Sequence, residues 1–167
     1  MHSESDDQTI SVCTDMFTAR GYTNLAYHTN CITATNTKNQ TVELHVLSDP
    51  KLNIDTIKYY YSMLKERGIK HGVLIYRNAI TSSVKKILEL VHDVKIELFL
   101  YTRMQYNIMN HDLVPSHLRI SKVAGVDYGA YPKINFDDPV VRFLDFSRGD
   151  LIKIIRKDGS IYYRIVK

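Results

Sequence analysis

The chain has 167 residues, 44% of them hydrophobic and 24% charged, which suffices for one or two small cores and argues against disorder. Its formal net charge of +4 is mildly basic, less than expected of a protein held to nucleic acid by many phosphate contacts. No apolar run approaches the ~20 residues that span a bilayer, and the amino-terminal MHSESDDQT is polar and acidic, unlike a secretory or mitochondrial leader, so a soluble intracellular protein is expected.

In chain order, Gln8 to Arg20 places Ile10, Cys13, Met16 and Phe17 at helical spacing before Gly21, which predicts a helix. The Thr- and Asn-rich stretch to Gln40 fits one or two short strands joined by polar turns. Thr41 to Asp49 alternates, with Val42, Leu44 and Val46 on one face and Glu43, His45 and Leu47 on the other; Asp49-Pro50 ends it. A helix follows, capped by Asn53 or Asp55, with Ile57, Tyr60, Tyr61 and Leu64 along one side and Gly68 as its stop. HGVLIYRNAI reads as an apolar strand, TSSVKKILELVHD as a helix capped by Thr81 or Ser82, and VKIELFLYTRM as another strand. Strand–helix–strand–helix–strand predicts an α/β layer with a largely parallel sheet.

Near Met109 the texture changes, and a boundary there divides the chain into 1–108 and 109–167. NHDLVPSHLRIS has no helical period. KVAGVDYGAYPKINFDDP is turn-rich. VVRFLDF makes one or two helical turns starting on Pro139 behind Asp138. The last nineteen residues alternate as a hairpin, with Asp158-Gly159 as its turn.

Catalytic patterns are scarce. There is no phosphate loop, no dinucleotide fingerprint, no His-Glu-x-x-His and no Gly-x-Ser-x-Gly. Cys13 and Cys31 lack partners at a metal-site spacing and read as small apolar residues. His45, His71, His92, His111 and His117 are scattered, as loop and strand histidines are. Glu43 and Glu97, with His45 and Lys95 beside them, are the acids that would have to gather around magnesium in a nuclease. No Glu-x-Lys tripeptide accompanies them, and Glu43 between Val42 and Leu44 also fits a half-solvated strand. Arg142, Arg148, Lys153, Arg156, Lys157, Arg164 and Lys167 crowd the last 26 residues, a cluster suited to an acidic protein partner, to solvent or to nucleic acid.

HDLVPSHLRIS (His111 to Ser121), YPKINFDDPVVRFLDFSRGDLIKIIRK (Tyr131 to Lys157) and YYRIV (Tyr162 to Val166) together resemble the signature of one family. It is the fifth subunit shared by eukaryotic RNA polymerases I, II and III, which has a shorter counterpart in the archaeal polymerase. HGVLIYRNAITSSVKKIL (His71 to Leu88) and IELFLYTRMQYNIMNHDLVP resemble its upstream half more loosely. The chain departs from the family pattern in a shortened KVAGVDYGAY segment, in Ala130-Tyr131 before Pro132 where Leu is usual, in Asp145 where Gly is usual, and in a tight final turn. These departures suggest a divergent lineage, such as a large DNA virus with its own eukaryotic-type polymerase.

The resemblance implies an α/β chain, α+β overall. Its N-terminal jaw domain would be restriction-endonuclease-like, with a small mixed sheet, and its small α+β C-terminal assembly domain would end in a β-hairpin. It implies a non-catalytic subunit with no cofactor and no metal. That subunit would be anchored on the largest polymerase subunit within a hetero-oligomer, with its jaw in weak, non-specific contact with downstream duplex DNA. The nucleus would be its place in a cell, the virion and host cytoplasm in a virus. The residues expected at the partner interface are His111, Leu113, Val114, Pro115, His117, Pro132, Asp138, Pro139, Arg142, Gly149, Asp150, Lys153, Arg156, Lys157 and Arg164. A magnesium-dependent nuclease and a free DNA-binding protein are the alternatives.

Overall fold

The structure, a computed structural model, describes residues 4–28, 31–48 and 52–167, with side chains from residue 6 onward. The expected strand end at Asp49-Pro50 lies outside the described residues. Two units divide the chain, Met1–Tyr106 and Asn107–Lys167. Among the described residues, no helix is long and apolar enough to cross a membrane.

The N-terminal unit opens with α1 (Glu4–Ala19). It starts earlier than the apolar spacing suggests because acidic residues such as Asp6 and Asp7 suit a helix N-terminus. Val12, Cys13, Met16 and Phe17 are its buried stripe. Burial pushes the Cys13 thiol up to about 12, against the lowering influence of Arg20, in keeping with an inert apolar role. Strands β1 (Tyr22–Tyr27), β2 (Cys31–Asn36), β3 (Thr41–Val46), β4 (His71–Tyr76) and β5 (Lys95–Leu100) form one sheet in sequence order. The first two pairings are antiparallel and the last two parallel. The sheet is therefore mixed rather than largely parallel: only three residues separate β1 from β2 and four separate β2 from β3, too few for a crossover, whereas the helical connections allow parallel neighbours.

Those crossovers are α2 (Ile54–Glu66) and α3 (Ser82–Leu90). Asn53 caps α2 by accepting from the Thr56 N–H at 2.8 Å, and Thr81 caps α3. Ile57 and Val84 from these helices bury against Leu74 and Leu98 of the sheet. On the other face, Arg20 at the end of α1 stands over the Phe99 ring, 5.8 Å from its centroid. Helices thus lie on both faces, which is why β3 and β4 are buried throughout their centres. Glu43 is accordingly not half-solvated but 0% exposed. The strand expected through Met104 ends at Leu100 and turns into a 3-10 helix, Tyr101–Gln105. That turn buries Tyr101 and Met104, and the Tyr101 hydroxyl donates to Asp6 of α1 at 2.8 Å.

In the C-terminal unit a short 3-10 turn (Ile108–Asn110) precedes β6 (Ser116–Ile120), β7 (Lys133–Ile134), α4 (Pro139–Phe143), β8 (Leu151–Ile155) and β9 (Ile161–Val166). The sheet order is β6-β8-β9-β7, with β7 parallel to β9 and the other pairs antiparallel. Residues 121–132 form turns without a helix or strand. Val141, Phe146, Ile152, Ile154 and Val166 make the core. The hairpin turn spans Arg156 to Gly159, closed by the Gly159 N–H on the Arg156 carbonyl at 3.0 Å. Gly159 takes a positive φ of 81° and Asp158 does not, so glycine supplies a bulge after the turn rather than its second corner. The molecule is mixed α and β, with two mixed sheets and four α-helices among the described residues.

Candidate functional site

Asp138 begins the best-defined local structure in the C-terminal unit. Its carboxylate accepts from the Val140 N–H at 2.9 Å and from Val141 at 3.4 Å, and Pro139 occupies the first helical position, where a missing N–H costs nothing. α4 ends in a Schellman turn. The Phe146 N–H donates to the Val141 carbonyl at 3.0 Å and the Asp145 N–H to Arg142 at 3.2 Å. Asp145 is the left-handed residue of that turn, with φ +56°. The position where the family usually has Gly is thus one where the backbone favours Gly, and Asp tolerates it better than most residues.

Beside this helix start lies a groove of about 420 Å³. The loop before β6 supplies Leu113, Val114 and Pro115, β6 supplies His117, and the hairpin supplies Ile154, Arg156, Tyr162 and Arg164. Lys133, Ile134, Asn135, Asp138 and Val140 complete it. Leu113 is 86% exposed and Tyr162 44%, so large apolar groups face solvent here. The Arg156 guanidinium stacks over Tyr162, 4.6 Å from the ring centroid. Arg164 donates to the Lys133 carbonyl at 3.0 Å, and a His117 ring nitrogen, Nδ1, lies 2.8 Å from the Pro115 carbonyl. The groove is therefore braced from within and presents apolar and cationic groups outward.

Of the fifteen residues singled out in the sequence, Leu113, Val114, Pro115, His117, Asp138, Arg156 and Arg164 come together on this groove. The other eight do not line it. Pro132 accepts from the Ile165 N–H at 2.9 Å and so registers β7 on β9. Pro139 and Arg142 are on α4, and Lys153 is on β8. His111 accepts from the Leu113 N–H at 3.2 Å, while Lys157 pairs with the exposed Asp112 at 3.1 Å. Gly149 has φ +86°. Asp150 accepts from the Ser147 N–H at 2.7 Å and pairs with Arg119 at 2.8 Å. Lys133, Ile134, Asn135, Val140, Ile154 and Tyr162 line the groove too and are not among the fifteen. Tyr162 was legible as an outward position of the final strand, but Lys133 and Asn135 reach the groove only through the parallel β7–β9 pairing.

The acidic residues of the N-terminal sheet do not gather. β3 pairs Glu43 with Gly72, and β4 pairs Val73 with Glu97. This one-residue offset puts the two carboxylates on opposite faces. Glu97 receives both guanidinium nitrogens of Arg20, at 2.8 and 3.1 Å. His71 Nε2 is 2.6 Å from the same carboxylate. Burial alone would raise its pKa, but Arg20, His71 and Lys95 together hold it far below the carboxylate range. Glu43 accepts from Arg67 at 2.6 Å. Each acid is neutralised by an arginine, and the neighbours of Glu43 are a thiol and an imidazole rather than a second carboxylate. Hard, oxygen-rich coordination for magnesium is not what this donor set offers.

The family model for RNA polymerase Rpb5, C-terminal domain, matches residues 106–166. A relative described as DNA-directed RNA polymerases I, II, and III subunit rpabc1, from Dictyostelium discoideum, is 30% identical over 131 residues, covering 70% of this chain and 66% of the relative. The C-terminal unit belongs to the Rpb5 family. A Caenorhabditis briggsae relative, described as DNA-directed RNA polymerases I, II, and III subunit RPABC1, is 29% identical over 131 residues, covering 71% of this chain and 62% of its own length. The chain thus spans a little under two thirds of each of these relatives. The Rpb5 match runs through the whole groove-bearing unit, from the residue before Asn107 to Val166.

Proposed function

We propose that the chain is a non-catalytic structural subunit of a multisubunit DNA-directed RNA polymerase and takes part in transcription through that assembly. The observation that carries the reading is the match of residues 106–166 to the Rpb5 C-terminal domain. In this reading the C-terminal unit anchors the chain on the largest polymerase subunit, and the groove beside Asp138 is the contact. Its chemistry suits that role: Tyr162 and Arg156 are of the residue types enriched among binding hot spots, and the exposed Leu113 adds apolar area beside them. A groove braced by internal hydrogen bonds has little ordering left to do on docking.

The N-terminal unit serves as the jaw element near downstream duplex DNA, touching it weakly and without sequence preference, as the small net charge of +4 allows. Residence follows the polymerase: the nucleus in a cell, the virion and host cytoplasm if the lineage is viral. The test is affinity capture of the tagged full chain from its native source, with identification of what co-purifies in stoichiometric amount. Co-purification of the largest polymerase subunit is expected. A chain recovered free of polymerase subunits would overturn the reading.

A further inference from the structure

The N-terminal unit holds a cluster that the family signature does not touch. Cys31 opens β2, and Glu43 and His45 lie on β3. Antiparallel pairing sets Cys31 opposite His45 and Thr33 opposite Glu43, so the alternation of strand side chains brings all three groups to one face. The thiol sulfur, a carboxylate oxygen and an imidazole nitrogen lie within 4.8 Å of one another. Glu43 is completely buried. Its Oε1 accepts from Arg67 at 2.6 Å and stands 3.4 Å from His45 Nε2. Its Oε2 is buried with no nitrogen or oxygen donor among the described residues, and the Cys31 thiol is the one further donor that reaches the carboxylate. A buried carboxylate oxygen whose available donor is a thiol, a weak one, is under-satisfied and suits a cation.

We propose that Cys31, Glu43 and His45 form a binding site for a single divalent transition-metal ion of the zinc type, with water as fourth ligand. One sulfur, one nitrogen and one carboxylate oxygen make a borderline-soft donor set that suits zinc and disfavours magnesium and calcium. A tetrahedral zinc ion sets such ligand atoms about 3.3–3.7 Å apart. The present separations need side-chain movements of roughly 1 Å to reach that spacing. Arg67 remains on Oε1 and orients the carboxylate so that Oε2 turns to the ion, the part that outer groups play at metal sites. The ion then ties the first residue of β2 to β3, and through Arg67 to the C-terminal end of α2. Binding at Cys31 takes the thiolate form, so the thiol proton leaves to solvent as the metal enters. The site is independent of the polymerase reading.

The test is titration of the metal-free full chain with Co²⁺, followed by Zn²⁺. One equivalent of Co²⁺ is expected to bind with a thiolate-to-cobalt charge-transfer band, which Zn²⁺ abolishes by displacement. Cys31→Ser is expected to remove the band, and Glu43→Gln, which replaces a ligand itself, to weaken binding at least tenfold, no less than the loss of an outer partner costs. His111→Ala, in the other unit, is expected to leave both unchanged. A second arm needs no variant: Zn²⁺ is expected to slow alkylation of Cys31 at least tenfold, with the buried Cys13 as internal control. A missing band, binding that survives Cys31→Ser at full strength, or unaltered alkylation would overturn the site.

Discussion

In the N-terminal unit Arg20 meets Glu97 with side chains 2% and 12% exposed, whereas in the C-terminal unit Arg119 meets Asp150 at 49% and 24%. The first pair is inside the fold, under α1, and the second is at the surface. The same residue types therefore do different work. A buried pair is held by its mutual neutralisation, and losing one partner strands a charge in a poor solvent. A surface pair gains little because water and salt compete for it. The C-terminal unit takes its order instead from backbone devices, namely the Asp138 cap, the Schellman turn at Asp145 and the Gly159 bulge, while side chains such as Leu113, Arg156 and Tyr162 stay exposed.

The sharpest way to break this comparison is Arg20→Met. It is expected to destabilise the N-terminal unit by about 3–5 kcal/mol, read by urea unfolding, while Arg119→Met costs under about 1 kcal/mol. Equal effects would dissolve the distinction. The acid limb of stability tests it again. The folded pKa of Glu97 is depressed below its ordinary value of 4.5. Its contribution is therefore fully present above that value and is lost as the pH falls below it. Unfolding monitored in the N-terminal unit is expected to steepen below that point in the wild type and to flatten in Arg20→Met.

In the C-terminal unit Asp138→Ala, which removes two cap hydrogen bonds, is expected to cost about 1 kcal/mol by thermal unfolding. Asp145→Gly is the smallest change and the one of opposite sign: relief of the left-handed φ is expected to stabilise by about 0.5 kcal/mol.

Much of the C-terminal unit was legible because its signals are local. Asp-Pro before a short apolar run specifies a capped helix start, and Arg-Lys-Asp-Gly between alternating segments specifies a hairpin. The groove was half legible, since Leu113 to His117 and Arg156 belong to the family signature, while Lys133 and Asn135 arrive through a parallel pairing that no local pattern encodes. In the N-terminal unit the helices and strands followed from periodicity. The burial of Glu43 did not, because alternation of Val42, Glu43 and Leu44 looks the same whether the polar face meets water or a helix carrying Arg67. The separation of Glu43 from Glu97 depended on a one-residue register between β3, β4 and β5, which is set by the crossover lengths rather than by either strand.

The central claim is that the C-terminal groove, and not the N-terminal sheet, holds the chain on its polymerase. It is tested most directly by measuring retention of the largest polymerase subunit on the full-length chain carrying Arg156→Glu together with Tyr162→Ala, beside a chain carrying Arg119→Met. The account predicts at least a tenfold loss of retention for the groove variant, with its fold intact by circular dichroism, and near wild-type retention for Arg119→Met. Full retention by the groove variant would contradict it.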